Sequence, residues 1–456
     1  MPPCLPSGEN LPKNARISGS APIVNIGIDG YNLAMPAGTG IATYGLTLAR
    51  TLQGGGHAVT GVFGIDVGRE EGLREVCFYD QVSRGEPAAR TKAQARRDRR
   101  RLLLDALPPR RRLDALEVPR TGRVETETLA DRLPRFDRLV SAARLFDIAH
   151  RHFALHGRFV ELRVRNPPAV MHWTYPVPVK LAGVPNIYTL HDLVPLKFPY
   201  TTLDNKKVYS ALVGRCVRDG AHICTVSEAS KRDILAEFNA PAERVTNCYQ
   251  ASPLPESFLS QPAAAHALEI DRIFGLGPQT YFLYFGAIEP KKNIGRLLEA
   301  YLGLDTPARL VMVGGRAWSS EGELKLMAFG GPGDGAGRVL RLDYLSRGLL
   351  LKLIRSARAV VFPSLYEGFG LPVLEAMQLG VPVLTSDRGA LPEVAGDAAV
   401  PVDPYDVSAI AGAMVSLDED AGLRARLGAA GLAQAAKFTQ ARFAKRLEAM
   451  YAHVLG

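Results

Sequence analysis

The stretch AVVFPSLYEGFGLPVLEAM, residues 359–377, carries the pattern that decides the fold. It begins with an apolar run typical of a buried strand, passes through a loop with a Gly-Phe-Gly turn, and ends in apolar residues at helical spacing. Pro372 suits the first turn of a helix. A strand, a glycine turn and a helix in this order form a unit of parallel α/β sheets, and such sheets bind ligands at these turns.

Two glutamates flank this turn: Glu367 precedes it, and Glu375 follows eight positions later. Gly368 and Gly370 allow the backbone to approach a ligand, and the amides of a helix start favour an anion such as a phosphate. Carboxylates accept hydrogen bonds from hydroxyl groups, so a ligand with a central diphosphate, a ribose and a sugar would use both acids. The local pattern leaves a second interpretation open, in which the acids only complement the helix dipole.

The alternation of strands and helices occurs twice along the chain. It starts at Ile23 and restarts after a linker-like stretch with four prolines in residues 251–278. Residues 68–150 break the alternation and are predicted to form an insertion rich in charged helix. A length of 456 residues suits two domains. We therefore expect an α/β protein of two Rossmann-like, doubly wound domains that face each other across a cleft.

The breaks in the pattern also predict the domain boundaries. We expect a disordered lead-in over 1–22, an N-terminal domain over 23–255, a C-terminal domain over 256–435 and a final helix over 436–456. No apolar run approaches the ~20 residues of a membrane-spanning helix, and the start of the chain lacks the apolar core of a secretory signal. The five cysteines have no zinc-like spacing, and their odd number argues against a disulfide framework. These features predict a cytoplasmic protein.

The net charge of +9 is concentrated in residues 90–123, which include RTKAQARRDRRR and PPRRR. Such a run can contact the anionic face of a membrane, or it can be a solvated insertion, and the sequence leaves both open. Nucleic acid is a weaker interpretation. No aromatic residue occurs between Tyr79 and Phe136, so the stacking platforms of single-strand binding are missing there.

Several segments together resemble one known family. EGFGLPVLE, with two glutamates separated by seven residues, resembles the signature of family 4 glycosyltransferases, which are retaining enzymes of the GT-B fold that use a nucleotide-sugar donor. FGAIEPKKNIGRLLEAY and VPVLTSDRGALPEVAGDAAVPVDP are similar to other parts of the family's donor domain. TLHDLVPLKFP, TVSEASKRDI and GTGIATYGLTLARTL are similar to acceptor-domain landmarks. The resemblance implies an acceptor-binding N-terminal domain, a nucleotide-sugar-binding C-terminal domain, and a last helix that crosses back.

The resemblance assigns roles to residues of the donor site. Glu375 is expected to bind the ribose hydroxyls, and Glu367 is expected to hold the transferred sugar. Lys292, or its neighbour Lys291, is expected to neutralise the departing phosphate. The backbone of the turn, with Gly368 before it, is expected to face the diphosphate through the amides of Phe369, Gly370 and Leu371.

One position departs from the family pattern. Many relatives have an arginine after the loop glycine that corresponds to Gly286, and this chain has Ala287 there. Arg316, in VGGRAW, is a candidate substitute because it also follows a strand.

On the acceptor side, the resemblance places His191 beside the donor sugar, with Asp192 next to it at the end of a strand. The loop Gly38-Thr39-Gly40 is expected to approach the donor phosphate or the acceptor. A structural role for the histidine, or an ordinary glycine turn, is the alternative.

The sequence and the resemblance together lead to a functional hypothesis. We expect a retaining transferase that moves mannose from GDP-mannose to a glycan or lipid-linked glycan during cell-surface polysaccharide synthesis. No cofactor and no essential metal are expected. The alternatives are a UDP-sugar-dependent enzyme of the same fold, and a non-catalytic protein that binds a sugar nucleotide or nucleic acid.

Overall fold

The computed structural model describes residues 23–35, 40–84, 92–109, 111–315, 337–343 and 345–456. The lead-in 1–22, the loop residues Gly38 and Thr39, and the expected phosphate ligand Arg316 lie outside these ranges, so the predictions for them stay predictions. Over the described residues, no helix is both long and apolar enough to cross a membrane.

The first half of the chain is built on an eight-stranded sheet. Its strand order is β11-β10-β9-β7-β1-β2-β5-β4, and every pair is parallel except β4 with β5. The strands β3, β6 and β8 form a second, three-stranded parallel sheet. The strands of this half are β1 Asn25–Asp29, β2 Ala58–Phe63, β3 Arg112–Asp114, β4 Leu116–Val118, β5 Arg138–Ser141, β6 Val160–Arg163, β7 Val170–Trp173, β8 Val179–Leu181, β9 Asn186–Leu190, β10 His222–Thr225 and β11 Val245–Asn247.

Helices connect these parallel strands and cover the faces of the sheet. Local capping fixes where some of them begin: the Asn205 side chain accepts hydrogen bonds from the amides of Lys207 and Val208, and the Ser227 hydroxyl accepts one from Ser230. The helices are α1 Gly40–Gly54, α2 Arg74–Arg84, α3 Lys92–Ala106, α4 Leu145–His156, α5 Val194–Lys197, α6 Lys206–Asp219 and α7 Glu228–Phe238.

The second half contains a six-stranded, fully parallel sheet. Its strand order is β14-β13-β12-β15-β16-β17, and its central strands are buried along their whole length, as helices on both faces require. The strands are β12 Tyr281–Phe285, β13 Arg309–Val313, β14 Val339–Leu342, β15 Ala359–Phe362, β16 Val383–Ser386 and β17 Val400–Val402. The helices are α8 Glu256–Leu259, α9 Ala263–Phe274, α10 Ile294–Leu302, α11 Arg347–Ser356, α12 Leu371–Gln378, α13 Leu391–Ala395, α14 Val407–Glu419, α15 Ala421–Ala435 and α16 Gln440–Leu455. Two parallel α/β units therefore follow one another, and the predicted α/β class is confirmed.

Residues 68–150 are only partly an insertion. Within this segment β5 pairs in parallel with β2, with Thr60 opposite Arg138, and β4 adds an antiparallel edge strand. The sequence pattern missed β5 because four residues are too few to show a periodicity inside a charged stretch. The charged helices α2 and α3 are the part that departs from the regular alternation.

The last helix, α16, packs against the first half of the chain. The Tyr451 hydroxyl lies 2.6 Å from Nδ1 of His172, a buried residue of β7. Near the other end of the helix, the Phe443 ring centroid lies 6.1 Å from that of Tyr44 in α1. The last helix therefore connects the C-terminal end of the chain back to its first half.

Candidate active site

The glycine turn after β15 lies where the two halves of the molecule touch. A Cβ at Gly368 would lie 2.3 Å from the backbone oxygen of His191, so only glycine fits there. Ser230 bridges the same contact, because its hydroxyl donates to the His191 oxygen at 2.6 Å and lies 3.3 Å from the Gly368 oxygen. Gly370 has a φ of 108°, a left-handed conformation that favours glycine, and it precedes the first residue of α12.

The start of α12 presents free backbone donors. The amides of Phe369, Gly370 and Leu371 donate to no acceptor within the part of the chain that the structure describes, whereas the amides of Val373 and Leu374 bond to the Gly370 oxygen. Unpaired amides at a helix start, together with the helix dipole, favour an anion. The turn can therefore bind a phosphate group.

Glu367 forms a buried ion pair directly before this turn. The Lys292 ammonium lies 2.6 Å from Glu367 Oε1. Both side chains are largely buried, with 12% of Lys292 and 9% of Glu367 exposed to solvent. Burial pushes the pKa of Glu367 upwards, but the charges of Lys292 and Lys291 outweigh it and hold the pKa below its ordinary value. Glu367 is therefore ionised at neutral pH.

Lys291 adds a second cation at the same strand end. Its Nζ lies 3.5 Å from Glu289 Oε1, and its backbone oxygen accepts a hydrogen bond of 2.8 Å from the amide of Leu365. Burial opposes the charged form, but Glu367, Asp192 and Glu289 together raise the pKa of Lys291 above its ordinary value. Lys291 is thus held as an ammonium group beside the glycine turn.

Glu375 lies further along α12 and is held by two side chains that the sequence analysis missed. Its Oε1 accepts hydrogen bonds from Ser252 Oγ at 2.8 Å and from Arg347 Nη1 at 2.7 Å, while Arg347 Nη2 donates to Ser252 Oγ at 2.9 Å. Both bonds end on Oε1, so Oε2 can accept a hydrogen bond from a ligand hydroxyl. One signal for Arg347 was present in the sequence, because it lies shortly after strand β14, on the edge where ligands bind.

His191 closes the cleft from the first half of the chain. Its Nε2–H donates to the backbone oxygen of Thr174 at 2.9 Å, and its ring meets the Tyr44 ring edge-on, with centroids 4.9 Å apart. Burial is the main cause that lowers the pKa of His191, so the ring is neutral at pH 7. The hydrogen bond fixes the tautomer and leaves Nδ1 as an acceptor. Asp192 Oδ1 accepts from the amide of Val194 at 3.0 Å and so fixes the turn after β9.

Two predicted glycines lie close to this centre. Gly40 begins α1, and a Cβ there would lie 4.0 Å from Leu371 Cδ1, so the starts of α1 and α12 are neighbours. Gly286 has a φ of 138°, a conformation that favours glycine. A Cβ at Gly314 would lie 1.9 Å from the Gly286 backbone oxygen, so the loops after β12 and β13 pack closely against each other. At Ala287, where the family pattern has an arginine, the backbone oxygen accepts from the Tyr284 hydroxyl at 2.9 Å.

Two family models match the chain. Residues 269–434 match the model described as glycosyl transferases group 1, and residues 39–247 match the model described as a glycosyl transferase 4-like domain. The chain thus carries a group 1 glycosyltransferase domain and a glycosyltransferase 4-like domain. The resemblance to family 4 enzymes is thereby confirmed.

Curated relatives of this glycosyltransferase include proteins named for O-antigen synthesis. The chain is 36% identical over 258 residues to O-antigen chain mannosyltransferase B of Escherichia coli, a match that covers 56% of this chain and 66% of the relative. It is 30% identical over 280 residues to the serotype-specific mannosyltransferase WbdA of Escherichia coli, covering 59% of this chain and 34% of that protein. The matches therefore span less than two thirds of the length of these relatives.

Solved structures support the GT-B fold. The structure of Anabaena HepE in complex with UDP and glucose matches with a TM-score of 0.61 at 13% identity, covering 94% of this chain and 99% of that one. Sucrose-phosphate synthase from Thermosynechococcus elongatus matches with a TM-score of 0.62 at 16% identity, covering 94% and 98%. The predicted GT-B class is confirmed.

The glycosyltransferase thus brings most of its predicted site residues into one cleft. Glu367, both lysines and the glycine turn meet His191 and Asp192 across the contact between the halves, and Glu375 lies one helical turn further along α12. Over the described residues, no group of three or more His, Cys, Asp or Glu side chains is placed to hold a metal ion. The acidic triplet at 418–420 is engaged elsewhere, since Asp418 pairs with Arg358 and Asp420 caps α15.

Proposed function

We propose that this glycosyltransferase moves mannose from GDP-mannose to a glycan or lipid-linked glycan in cell-surface polysaccharide synthesis, with retention of the anomeric configuration. One observation carries the proposal: cations, free amides and two buried carboxylates are arranged around a single helix start in the order of the parts of a nucleotide-sugar. The names of the Escherichia coli relatives, and of an O-antigen chain mannosyltransferase of Salmonella typhimurium that is 27% identical over 231 residues, favour mannose.

Each part of the donor has a partner in the cleft. Glu375 Oε2 accepts a ribose hydroxyl while Arg347 and Ser252 hold the other oxygen of the same carboxylate. The amides at the start of α12 bind the diphosphate. Glu367, ionised by its lysine neighbours, accepts a hydroxyl of the sugar. The cleft therefore holds both ends of the donor and leaves the bond between sugar and phosphate beside the lysines.

Transfer then requires stabilisation of the charge that develops on the leaving phosphate. Lys291 and Lys292 supply fixed positive charge in a buried site, where it acts more strongly than in water. The bond from the anomeric carbon to the phosphate oxygen breaks, and a bond to the acceptor oxygen forms on the same face. The acceptor proton passes to the departing phosphate. We propose that the lysines and amides perform this task without an essential divalent metal.

A second donor class has its own support. Solved structures that share the fold include Anabaena HepE in complex with UDP-glucose. A UDP-sugar would use the same ribose and diphosphate contacts, so the two donors differ in how the base and the sugar are bound. The proposal of GDP-mannose rests on the names of the sequence relatives.

The proposal is tested by product analysis in the presence of a chelator. The protein is incubated with GDP-mannose, a manno-oligosaccharide acceptor and excess EDTA, and the new linkage is assigned by NMR. We expect an α-linked mannose and a rate within about twofold of the rate without EDTA, because the lysines carry the phosphate charge. A β-linked product would contradict retention, and loss of turnover that added Mg²⁺ restores would contradict metal independence.

We also propose that the enzyme contacts the anionic inner face of the cytoplasmic membrane. Helix α3 carries the exposed run Arg99–Arg101, and Leu104 and Leu107 are 58% and 52% exposed near its end. Arginines beside exposed leucines suit the boundary between lipid headgroups and acyl chains. This surface supports the peripheral, cytoplasmic location expected from the sequence.

Charge reversal in α3 tests the membrane contact. Replacing Arg99, Arg100 and Arg101 by glutamate should abolish sedimentation with vesicles that contain anionic phosphatidylglycerol, since each basic residue near such a surface contributes about 1 kcal/mol. Donor turnover in solution should not change. Equal sedimentation of the variant and the native protein would contradict the membrane contact and support the alternative, that these arginines are only a solvated surface.

A further inference from the structure

A group of exposed aromatic side chains lies at the rim of the cleft. Tyr200 is 63% exposed and Tyr405 is 46% exposed, and their hydroxyl oxygens lie 3.4 Å apart. Tyr200 belongs to the segment after α5, in the first half of the chain, and Tyr405 follows β17 in the second half. Phe198 continues the group inwards, with its ring centroid 6.2 Å from that of Tyr200. We call Phe198, Tyr200 and Tyr405 the aromatic shelf.

The inner end of the aromatic shelf reaches the residue beside the sugar-binding glutamate. The Phe198 ring centroid lies 5.3 Å from that of Tyr366, which directly precedes Glu367. The Tyr366 hydroxyl donates to Asp233, and the Lys197 ammonium pairs with the same carboxylate, so the Tyr366 ring is fixed in place. The shelf thus packs on the residue that directly precedes the proposed sugar-binding glutamate.

The outer end of the shelf is tied to the catalytic lysine. Asn293, the residue after Lys292, donates from Nδ2 to the backbone oxygens of Pro363 and Pro404 at 3.0 and 2.6 Å. Pro404 immediately precedes Tyr405, whose ring is also contacted by the Arg296 guanidinium at 5.1 Å. These contacts hold the Tyr405 ring at a fixed position relative to the reacting groups.

The chemistry of the shelf suits a carbohydrate. Tyrosine has an apolar ring face that packs on the C–H face of a sugar ring, while the hydroxyls of Tyr200 and Tyr405 are paired with each other. The hydrogen bond to Tyr405, followed by burial, raises the pKa of Tyr200 to about 12, so Tyr200 is uncharged at neutral pH. Grouped exposed aromatic residues at a cleft mark a binding surface, unlike single exposed apolar residues.

We propose that the aromatic shelf binds the acceptor glycan, through sugar units beyond the one that receives the transferred mannose. This inference rests on the proposed function, because it takes the donor sugar to lie beside Glu367. The reacting hydroxyl must enter next to Glu367 and Lys292, and the shelf begins one ring outside that point. Tyr200 and Tyr405 follow Phe198 in this row of rings, so an oligosaccharide is the acceptor that would contact them as well. The shelf therefore makes the enzyme prefer an already elongated chain.

The test compares long and short saccharides on variants of the shelf. Calorimetry measures the Kd of mannopentaose and of methyl α-mannoside for the native protein and for Tyr200→Ala and Tyr405→Ala. We expect each alanine variant to weaken mannopentaose binding about tenfold, the effect of losing one aromatic stacking contact, and to leave methyl α-mannoside binding unchanged. Leu268→Ala, at a residue that is 51% exposed on α9, is the control and should change neither Kd.

Tyr200→Phe separates glycan binding from closure of the cleft. This variant keeps the ring face and loses the hydroxyl that reaches Tyr405, so it should bind mannopentaose within about twofold of the native protein. If Tyr200→Phe loses as much affinity as Tyr200→Ala, the hydroxyl contact between the halves is what matters and the shelf proposal fails. It also fails if the native protein binds no mannopentaose, or if the alanine variants change the oligomeric state and not the glycan affinity.

A donor measurement on the same variants keeps the two proposals apart. GDP-mannose should raise the melting temperature of the native protein and of each shelf variant equally, because the shelf does not contact the donor. If GDP-mannose raises no melting temperature, the proposed function fails whatever the glycan data show. If GDP-mannose raises the melting temperatures but the shelf variants bind mannopentaose like the native protein, only the proposal that the shelf binds the acceptor is contradicted.

Discussion

The ion pair between Glu367 and Lys292 shows how single residues set the chemistry of this site. A buried carboxylate alone would take up a proton, and a buried ammonium alone would lose one. Glu367 keeps its charge because Lys292 lies 2.6 Å away and because Lys291 adds a second positive charge. The carboxylate can then accept a sugar hydroxyl while the cations face the phosphate.

Glu367→Gln should separate transfer from donor binding. The variant keeps the shape of the side chain but removes its charge, which leaves Lys292 without its counter-charge and weakens the hold on the sugar. We expect kcat for mannosyl transfer to fall at least 100-fold, roughly the cost of one lost catalytic hydrogen-bonding group, and the Kd for GDP to change by less than about threefold. Glu269→Gln, in a partly exposed pair with Lys352, is the control. A Glu367→Gln variant with native kcat would remove the role assigned to Glu367.

Arg347→Ala should weaken donor binding at the ribose end, where Arg347 holds Glu375. Arg347 binds both Glu375 and Ser252, so its loss frees the carboxylate that we expect to bind ribose. Because a hydrogen bond to a charged group contributes about 1.5–3 kcal/mol, the Kd for GDP should rise at least tenfold, with kcat at saturating donor within about twofold. Arg272→Ala, at an exposed position in α9, controls for loss of surface charge. An unchanged Kd for GDP in Arg347→Ala would exclude Arg347 from the donor site.

The strand, turn and helix from β15 to α12 form the element on which the site depends. Its parts were predictable because glycine, proline and apolar spacing are local signals. Arg347 and Ser252 were not found, since they lie 28 and 123 positions from Glu375 and only the fold brings them to it. Strand β5 was missed for a different reason: its four residues are too few to show a periodicity inside a charged stretch.

Gly368→Ala should disturb the contact between the halves. The new Cβ would lie 2.3 Å from the His191 backbone oxygen, and a backbone atom cannot move aside as a flexible side chain can. We expect kcat/KM to fall at least about tenfold and the melting temperature to drop by several degrees, since overpacking typically costs 1–3 kcal/mol. The measurements are steady-state kinetics and calorimetry.

Gly348→Ala provides the matched control for this glycine. It lies in α11, where a Cβ would meet nothing within 4 Å, and alanine is a better helix former by about 1 kcal/mol. The control should keep its activity and melt at the same or a higher temperature. Equal behaviour of the two variants would show that the close approach at Gly368 is not needed.

At the scale of the whole molecule, a buried histidine of the first sheet lies beside an exposed histidine of the C-terminal helix. His222 of β10 bonds to the Thr246 hydroxyl through Nε2 at 2.7 Å, and its ring centroid lies 5.4 Å from that of His453. Burial, with smaller contributions from nearby positive groups, lowers the pKa of His222 to about 4. In the unfolded chain the same ring titrates near 6.5.

This shift makes stability depend on pH in a defined window. Between about pH 6.5 and pH 4 the unfolded chain binds a proton at His222 that the folded chain does not, so acidification favours unfolding; above that window His222 contributes no pH dependence. The melting temperature of His222→Asn should therefore fall less steeply than that of the native protein between pH 6.5 and 4. Calorimetry across this range is the measurement, and parallel curves for the two proteins would contradict the shift.

The most direct test of the central claim is a panel of nucleotide-sugars followed by thermal shift on the native protein and Glu375→Ala. A ligand that binds only the folded protein raises the melting temperature, and the rise reports its affinity. We predict that GDP-mannose raises the melting temperature of the native protein more than any UDP-sugar does, and that Glu375→Ala loses most of this rise. A native protein that no nucleotide-sugar stabilises, or a Glu375→Ala variant that responds like the native protein, would contradict the donor site described here.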